Sequence, residues 1–177
     1  MRAQSFPPSA VHKGYPKSHP FKHARREWAP FKGPVLNKGI FVSASKIRVV
    51  LADDHPRIRA AIRRFLEKSP DISVVGEASN GYEALELVEN LSPDLLLLDM
   101  EMPLLDGLHV ATRLQEIGSP VRILVLSAYD DQEYRMSVLQ KGASGYLVKD
   151  DLPDTLVQAV HAVARGEQDR VGQQAAE

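Results

Sequence analysis

Cysteine is absent from this 177-residue sequence, so no disulfide framework can hold the fold together. Long hydrophobic runs are absent as well: no apolar stretch approaches the ~18 residues that a membrane-spanning helix needs. Residues 1–20 lack the apolar segment and small-residue cleavage site of a secretory signal. These absences exclude a disulfide-stapled or membrane-spanning protein, and they predict a protein of a reducing compartment, the cytoplasm.

Acidic residues are scarce at the start of the chain. Residues 1–45 contain eight Lys or Arg and only one acid, Glu27, whereas residues 46–177 contain fourteen basic and twenty-two acidic residues. The 1–45 segment also holds six of the twelve prolines, each of which removes a backbone donor and restricts the preceding residue. The segment is therefore predicted to be a largely unfolded basic extension. Its interleaved aromatic residues leave two interpretations open, contact with nucleic acid or a partner and an uninvolved extension.

Strand and helix patterns alternate from Lys46 onward. Segments rich in β-branched residues or leucine predict strands, and apolar residues three and four positions apart predict helices. The predicted strands are 46–52, 72–78, 94–99, 121–127 and 144–149. The predicted helices are 56–68, 80–91, 106–118, 130–142 and 152–166, and a polar tail, 167–177, follows them.

The number and order of these elements predict the fold class. A β/α barrel needs eight strand–helix units, and this chain has five. The strand at 94–99 is continuously apolar, which is typical of a parallel strand buried on both faces. Residues 46–166 are therefore predicted to form an α/β domain with an open, doubly wound, five-stranded parallel sheet and helices on both faces.

Polar residues end four of the predicted strands. Strand one is followed by Asp53 and Asp54, strand three ends at Asp99, strand four at Ser127 and strand five at Lys149. Because the carboxyl ends of parallel strands share one edge of the sheet, these side chains are expected to converge. Taken singly, each also fits a turn, a helix cap or a surface charge. Together at one edge, the five favour a shared site.

Such a site predicts phosphoryl chemistry that depends on a metal. Three carboxylates in a crevice repel each other unless a divalent cation such as Mg²⁺ lies among them. Lys149 and Ser127 are suited to bind phosphoryl oxygens. Asp99 is the best candidate for a nucleophile that forms an aspartyl phosphate, because it ends the most buried strand.

Four motifs resemble those of the response-regulator receiver domains of two-component signalling, particularly receivers of the NarL/FixJ type. They are "ADDH" (52–55), "LLLLDMEMPLLDG" (95–107), "VLSAYDD" (125–131) and "KGASGYLVKDD" (141–151). The resemblance covers about residues 46–166 and implies a flavodoxin-like strand order, 2-1-3-4-5. It implies a phosphorylation-dependent switch of a phosphorelay, with self-phosphorylation and autodephosphorylation activity, and not a conventional enzyme.

The resemblance also implies how a metal site would be built. Asp99 matches the phosphoacceptor, which also contacts the Mg²⁺ cofactor. Asp54 matches the acid that binds Mg²⁺ directly, and Asp53 matches the acid that acts mostly through water. Glu101 matches the position whose backbone carbonyl completes the metal site, so its side chain need not be a ligand.

Three further matches imply the switch. Ser127 and Lys149 match the hydroxyl and the lysine that contact the phosphoryl group. Tyr146 matches the aromatic residue that turns inward when the hydroxyl moves, and an ordinary strand aromatic is an equal alternative for it. The signal would reach the surface formed by helix four, strand five and helix five. One departure is Asp150, which stands where many receivers have proline, as is usual for the NarL/FixJ type.

The resemblance further implies partners. The phosphoryl donor would be a phosphohistidine on a sensor histidine kinase or a histidine phosphotransfer protein, and the output partner is not identified by the sequence. A homodimer is a further expectation. Regulators of the NarL/FixJ type continue into a helix-turn-helix DNA-binding domain, and the few residues after 166 leave no room for one. The sequence therefore predicts a stand-alone receiver, a truncated regulator, or a protein whose output lies in a partner.

Three rival functions stay open at this point. A receiver fold can serve as an adaptor without phosphorylation, although the intact set of acids, hydroxyl and lysine argues against that. A haloacid-dehalogenase-like phosphatase would need the pattern Asp-x-Asp-x-Thr/Val, and this chain has "DMEM" (99–102), with Glu101 in place of the second aspartate. A flavodoxin-like electron carrier would need a phosphate-binding loop rich in Ser, Thr and Gly after strand one, and "DDHPR" is acidic.

Overall fold

A five-stranded parallel sheet in the order β2-β1-β3-β4-β5 organises the part of the chain that the computed structural model describes, residues 45–152 and 155–167. The strands are β1 (Ile47–Ala52), β2 (Ile72–Ala78), β3 (Leu95–Asp99), β4 (Arg122–Ser127) and β5 (Gly145–Val148). The helices are α1 (Pro56–Leu66), α2 (Gly81–Leu91), α3 (Gly107–Glu116), α4 (Gln132–Gln140) and α5 (Leu156–Ala164). The predicted fold class and strand order are confirmed. The predictions for the basic extension and the polar tail lie almost entirely outside the described residues.

Two hydrophobic cores lie on opposite faces of the sheet, and β3 supplies both. Leu96 and Leu98 belong to the core that α2, α3 and α4 cover. Leu95 and Leu97 belong to the core that α1 and α5 cover. Successive residues of a strand point to opposite faces, so a strand between two helical layers must be apolar at every position. The four consecutive leucines of β3 are thereby explained, and all four are fully buried.

Polar caps begin three of the helices. Asn80 accepts hydrogen bonds from the Tyr82 and Glu83 backbone N–H groups at the start of α2. Asp106 caps α3, and Asp131 caps α4. A cap residue has a non-helical backbone, so these helices begin one or two residues later than the sequence pattern predicts.

The predicted start of the last helix, at residue 152, is wrong. Lys149–Asp151 form a 3₁₀ turn after β5, and the Leu152 N–H donates to the Lys149 carbonyl at 3.3 Å. Leu152 then has an extended backbone (φ −77°, ψ 143°), which ends the turn, and α5 begins only at Leu156. Lys149 is consequently held by a tight turn at the sheet edge.

Across the described ranges, none of the helices has the length and apolar character needed to cross a membrane.

Leu104 lies in the loop between β3 and α3 with a left-handed backbone (φ 68°), and its side chain is 79% exposed. A left-handed conformation costs a non-glycine residue about 1–2 kcal/mol, and this side chain gains little burial in return. We expect Leu104→Gly to raise the free energy of unfolding by roughly 0.5–1 kcal/mol, measured by urea denaturation. The neighbouring Leu105→Gly is the matched control and should destabilise the domain, because Leu105 packs on a core. Equal losses in both variants would contradict this expectation.

Candidate functional site

The register of the sheet brings the ends of β1 and β3 to the same level. Ala52 pairs with Leu98, so Asp53 and Asp99 follow at equivalent positions of neighbouring strands. Asp99 also pairs with Leu126, which places Ser127 one residue further along β4. Asp53 is fully buried, and Asp99 and Ser127 are almost so. The predicted convergence of these polar side chains at one sheet edge is therefore what the fold produces.

Lys149 joins the two buried acids. Its Nζ lies 2.8 Å from Asp99 Oδ2 and 3.1 Å from Asp53 Oδ2. The lysine side chain is 19% exposed, so it is more accessible to solvent than either acid. Two buried carboxylates repel each other, and a shared ammonium group reduces that repulsion.

Burial dominates the electrostatics of Asp99. It raises the pKa of the Asp99 carboxyl above its ordinary value, and the hydrogen bond and charge of Lys149 only partly oppose it. For Lys149, burial acts to lower the pKa, but the hydrogen bond and charge of Asp99, with those of Asp53, raise it on balance. Burial therefore makes the charged form of Asp99 unfavourable even with Lys149 beside it.

Asp54 and His55 complete the acidic edge. Asp54 is partly exposed, and its Oδ1 lies 2.6 Å from His55 Nδ1. One ring nitrogen of His55 and one oxygen from each of Asp53, Asp54 and Asp99 all lie within 4.8 Å of one another. Carboxylate oxygens are the ligands that Mg²⁺ prefers, and a dication would stabilise the charged form of Asp99 that burial disfavours. The residues present therefore fit a divalent cation.

Ser127 ends β4 and Tyr146 lies on the neighbouring strand β5; both are predicted to take part in the switch. Ser127 Oγ accepts a hydrogen bond from the Tyr129 N–H at 3.1 Å. Tyr146 is turned inward, only 2% exposed, and its hydroxyl donates to the Tyr129 carbonyl at 2.6 Å. Burial raises the pKa of Tyr146, and a hydrogen bond with Ser127 opposes that rise. The loop after β4 is thus hydrogen-bonded to the side chains of both Ser127 and Tyr146.

Glu101 stands apart from the acid cluster. The Glu101 backbone N–H donates a hydrogen bond to Asp99 Oδ1 at 3.3 Å, and this bond helps to fix the orientation of that carboxylate. Its exposed side chain meets the Tyr129 hydroxyl, and this hydrogen bond raises the pKa of Tyr129. Glu101 therefore takes part through its backbone and a loop contact. The Glu101 carboxylate is not part of the group formed by the Asp53, Asp54 and Asp99 carboxylates. A metal-binding role for the Glu101 carbonyl stays a prediction.

Two side chains of the site were missing from the sequence prediction. Arg59, on the first turn of α1, donates to the Asp53 carbonyl at 2.7 Å and to Glu77 Oε2 at 3.1 Å. It thereby fixes the loop that carries the acids. His55 stands in the "ADDH" motif, so its place directly after Asp54 was the available signal. For Arg59 the only signal was its spacing of one helical turn from that motif.

Gly107 allows α3 to begin directly against the end of β3. A Cβ at this position would overlap the Asp99 carbonyl oxygen and lie 2.9 Å from Met100 Cα. Both are backbone atoms that cannot turn away. We expect Gly107→Ala to destabilise the domain by about 2 kcal/mol and to displace Asp99, measured by urea denaturation and by the Asp99 amide chemical shift.

Gly118→Ala is the matched control for this prediction. A Cβ at Gly118 meets no atom within 4 Å, but the backbone there is left-handed (φ 65°). That variant should lose about 1 kcal/mol from strain and leave the Asp99 amide shift unchanged. An Asp99 shift that moves in both variants, or in neither, would contradict the proposed role of Gly107.

Known proteins resemble this chain over the described domain. The family model for the response regulator receiver domain matches residues 49–161. The nitrate/nitrite response regulator protein NarL of Escherichia coli K12 is 44% identical over 119 residues, covering 67% of this chain and 55% of NarL. The transcriptional regulatory protein DegU of Brevibacillus brevis is 41% identical over 125 residues, covering 71% of this chain and 53% of DegU.

Solved structures agree with these sequence relatives. The signal receiver domain of NarL from Mycobacterium tuberculosis is 43% identical, with a TM-score of 0.66, and the match covers 69% of this chain and 98% of that one. The isolated receiver domain of RcsB from Salmonella enterica, determined with a phosphomimetic BeF₃⁻, is 26% identical with a TM-score of 0.65, covering 70% of this chain and 92% of that one. The chain spans about half the length of the curated relatives it matches. It belongs to the response regulator receiver domain family, and its receiver is of the NarL/LuxR type.

Proposed function

We propose that this domain is a phosphorylation switch of a two-component phosphorelay and that Asp99 accepts the phosphoryl group. The contact of Lys149 with both Asp99 and Asp53 carries the proposal, because it places a cation beside a buried carboxylate at the carboxyl edge of the sheet. Family membership supports it, since receiver domains of response regulators act as phosphorylation switches and generally bind Mg²⁺ at an acidic pocket.

The proposed transfer uses the Asp99 carboxylate as nucleophile. An Asp99 oxygen attacks the phosphorus of a phosphohistidine, the P–N bond breaks, and the leaving imidazole nitrogen keeps the electron pair and takes up a proton. Asp53, Asp54 and Asp99, with the Glu101 carbonyl, would hold Mg²⁺. When bound, the cation supplies positive charge that balances the charge of the acids and of the phosphoryl oxygens. Lys149 would remain beside the same oxygens as a second positive charge.

The proposed switch follows from the charge that the phosphoryl group adds. A phosphoryl group brings nearly two negative charges and several strong acceptors. Ser127 and Lys149 can contact phosphoryl oxygens only when the group is present, so phosphorylation favours the conformer that makes those contacts. The bond from Tyr146 to the Tyr129 carbonyl connects the loop after β4 to β5, and so favours transmission toward the α4–β5–α5 surface.

The partners remain part of the proposal. We infer a sensor histidine kinase or a histidine phosphotransfer protein as donor, because receiver domains of two-component systems interact with histidine kinases. The output partner and a homodimer stay predictions. The contacts of Lys149 with Asp99 and Asp53 favour a phosphoacceptor site over the adaptor function, which needs neither Lys149 nor the buried acids.

Incubation with phosphoramidate, a small P–N phosphodonor, tests the proposal directly. We expect intact-mass spectrometry to detect a single phosphoryl adduct in the presence of Mg²⁺ and little adduct after Mg²⁺ is removed with EDTA. Borohydride reduction converts an aspartyl phosphate to homoserine, so peptide mass mapping should place the adduct at Asp99. An adduct at another residue would move the nucleophile, and no adduct at all would favour the adaptor.

A further inference from the structure

Arg135, on α4, lies over the ring of Tyr146, on β5. The central carbon of its guanidinium group is 5.3 Å from the centre of that ring. A guanidinium within about 6 Å of an aromatic centre is attracted by the negative face of the ring. Arg135 is only partly exposed, so water screens this attraction less than it would on an open surface. The contact therefore joins an α4 side chain to the aromatic residue of the proposed switch.

Three contacts hold the Tyr146 side chain in its buried position. Its hydroxyl donates to the Tyr129 carbonyl at 2.6 Å. The Tyr134 ring meets it edge to face, with the ring centres 6.4 Å apart and the planes at 80°. Arg135 supplies the third contact. Two of these contacts come from neighbouring residues of α4, so the position of α4 bears directly on where the Tyr146 ring lies.

The first turn of α4 fixes the backbone of Arg135. Its N–H donates to the carbonyl of the cap residue Asp131 at 2.9 Å. The charge of the side chain acts on Tyr146: burial raises the pKa of Tyr146, and the positive charge of Arg135 opposes that rise. The arginine is therefore anchored at its backbone and close enough to the ring for its charge to be felt there.

We propose that Arg135 is a positioning residue that biases the switch toward the conformer in which Tyr146 is buried. The contact with the ring stabilises that conformer relative to any in which the ring leaves Arg135. The inference rests on the proposed function, in which a phosphoryl group on Asp99 favours the same conformer. Because such coupling is reciprocal, Arg135 should also strengthen binding of a phosphoryl group at Asp99, acting through Tyr146.

A titration of the full chain with beryllofluoride, a phosphoryl mimic, tests this coupling in saturating Mg²⁺. We expect Arg135→Gln to raise the dissociation constant measured by calorimetry about threefold, the size of effect that one such contact supplies. Arg113→Gln is the matched control, because Arg113 is an exposed helix arginine whose contact is with Glu116 on the same helix. It should leave the dissociation constant unchanged.

A double-mutant cycle with Tyr146→Leu separates this contact from every other effect of Arg135. Once the aromatic ring is absent, Arg135→Gln should change the beryllofluoride dissociation constant by less than about 1.5-fold. A threefold loss that persists in the Tyr146→Leu background would overturn the inference. So would the absence of any loss when Arg135→Gln is made in the wild-type chain.

The position of the Tyr146 ring in the free protein is a readout independent of phosphoryl chemistry. With ring-labelled tyrosine, the nuclear Overhauser effect between the Tyr146 and Tyr134 rings reports their proximity. We expect it to weaken in Arg135→Gln and not in Arg113→Gln. Failure of beryllofluoride to bind the wild type would reject the proposed function, yet this weakening would still support the positioning role. An unchanged effect in Arg135→Gln would overturn that role.

Discussion

Asp99→Asn is expected to abolish the phosphoryl adduct and, at the same time, to make the domain more stable. An amide is not a nucleophile toward phosphorus, so phosphoramidate should leave the variant at its unmodified mass. Burial raises the pKa of the Asp99 carboxyl despite the nearby Lys149, so the charged form is held unfavourably at neutral pH. A neutral isostere removes that penalty. We expect a gain of about 1 kcal/mol in the free energy of unfolding at pH 7, measured by urea denaturation.

The pH dependence of this gain has a defined sign. The pKa of Asp99 is raised in the folded state above its ordinary value of 3.8, so the folded protein retains the proton more strongly than the unfolded chain does. The free-energy penalty of burying charged Asp99 is absent below pH 3.8. It grows as the pH rises toward the raised pKa of the folded state, and it is fully present above that pKa. The difference in stability between Asp99→Asn and the wild type should therefore shrink as the pH falls through this interval. Taking the difference cancels the titration of the carboxylates that do not interact with Asp99.

Asp106→Asn is the control for the isosteric change itself. Asp106 caps α3 by accepting from the His109 N–H at 2.9 Å, and asparagine caps a helix about as well. This variant should be phosphorylated normally and change little in stability. If Asp99→Asn proves less stable than the wild type at pH 7, the ion pair with Lys149 outweighs the penalty of burial. The electrostatic argument given for the cation site would then be wrong.

Lys149→Met is expected to destabilise the domain and to slow phosphoryl transfer strongly. Its ammonium group contacts two carboxylates that are at most 4% exposed, and its removal leaves both acids without that counter-charge. Breaking a buried ion pair on one side costs about 3 kcal/mol, which urea denaturation would detect. The rate of adduct formation should fall by roughly 100-fold, because one positive charge beside the phosphoryl oxygens is lost.

Mg²⁺ and a second substitution separate the two roles of Lys149. Saturating Mg²⁺ should restore part of the lost stability, because a dication at the acids replaces the missing charge. Adding Asp99→Asn to Lys149→Met should also restore stability, because one of the two repelling carboxylates is removed. Lys141→Met, at an exposed position after α4, is the matched control and should be neutral. Equal stability of Lys149→Met and Lys141→Met would show that the ion pair contributes nothing.

The sequence was sufficient to predict the fold because periodicity reports burial directly. The four consecutive leucines of β3, ahead of Asp99, indicated a strand covered on both faces, and they divide between the two cores as that interpretation requires. The boundary of α5 could not be predicted in the same way. Its apolar pattern extends back to Leu152, but a 3₁₀ turn at Lys149–Asp151 and an extended Leu152 delay the helix to Leu156. Apolar patterns do not reveal where the backbone changes direction.

The sequence by itself also determined which residue types reach the carboxyl edge of the sheet. A residue that ends a parallel strand must lie at that edge, so Asp53, Asp99 and Ser127 could be named before any distance was known. Their mutual contacts could not be named. That Lys149 spans both Asp53 and Asp99 depends on the turn after β5 and on burial in three dimensions.

Only the tertiary structure decided the finer organisation of the site. It placed the imidazole of His55 2.6 Å from Asp54 Oδ1. It also brought the Arg59 guanidinium to the Asp53 carbonyl and buried Tyr146, whose hydroxyl donates to the Tyr129 carbonyl. It also showed that Gly107 is needed for close approach to the Asp99 backbone. The physical reason is the range of each interaction. Periodicity records which face of an element is buried, whereas side-chain contacts form between residues brought together by the packing of other elements.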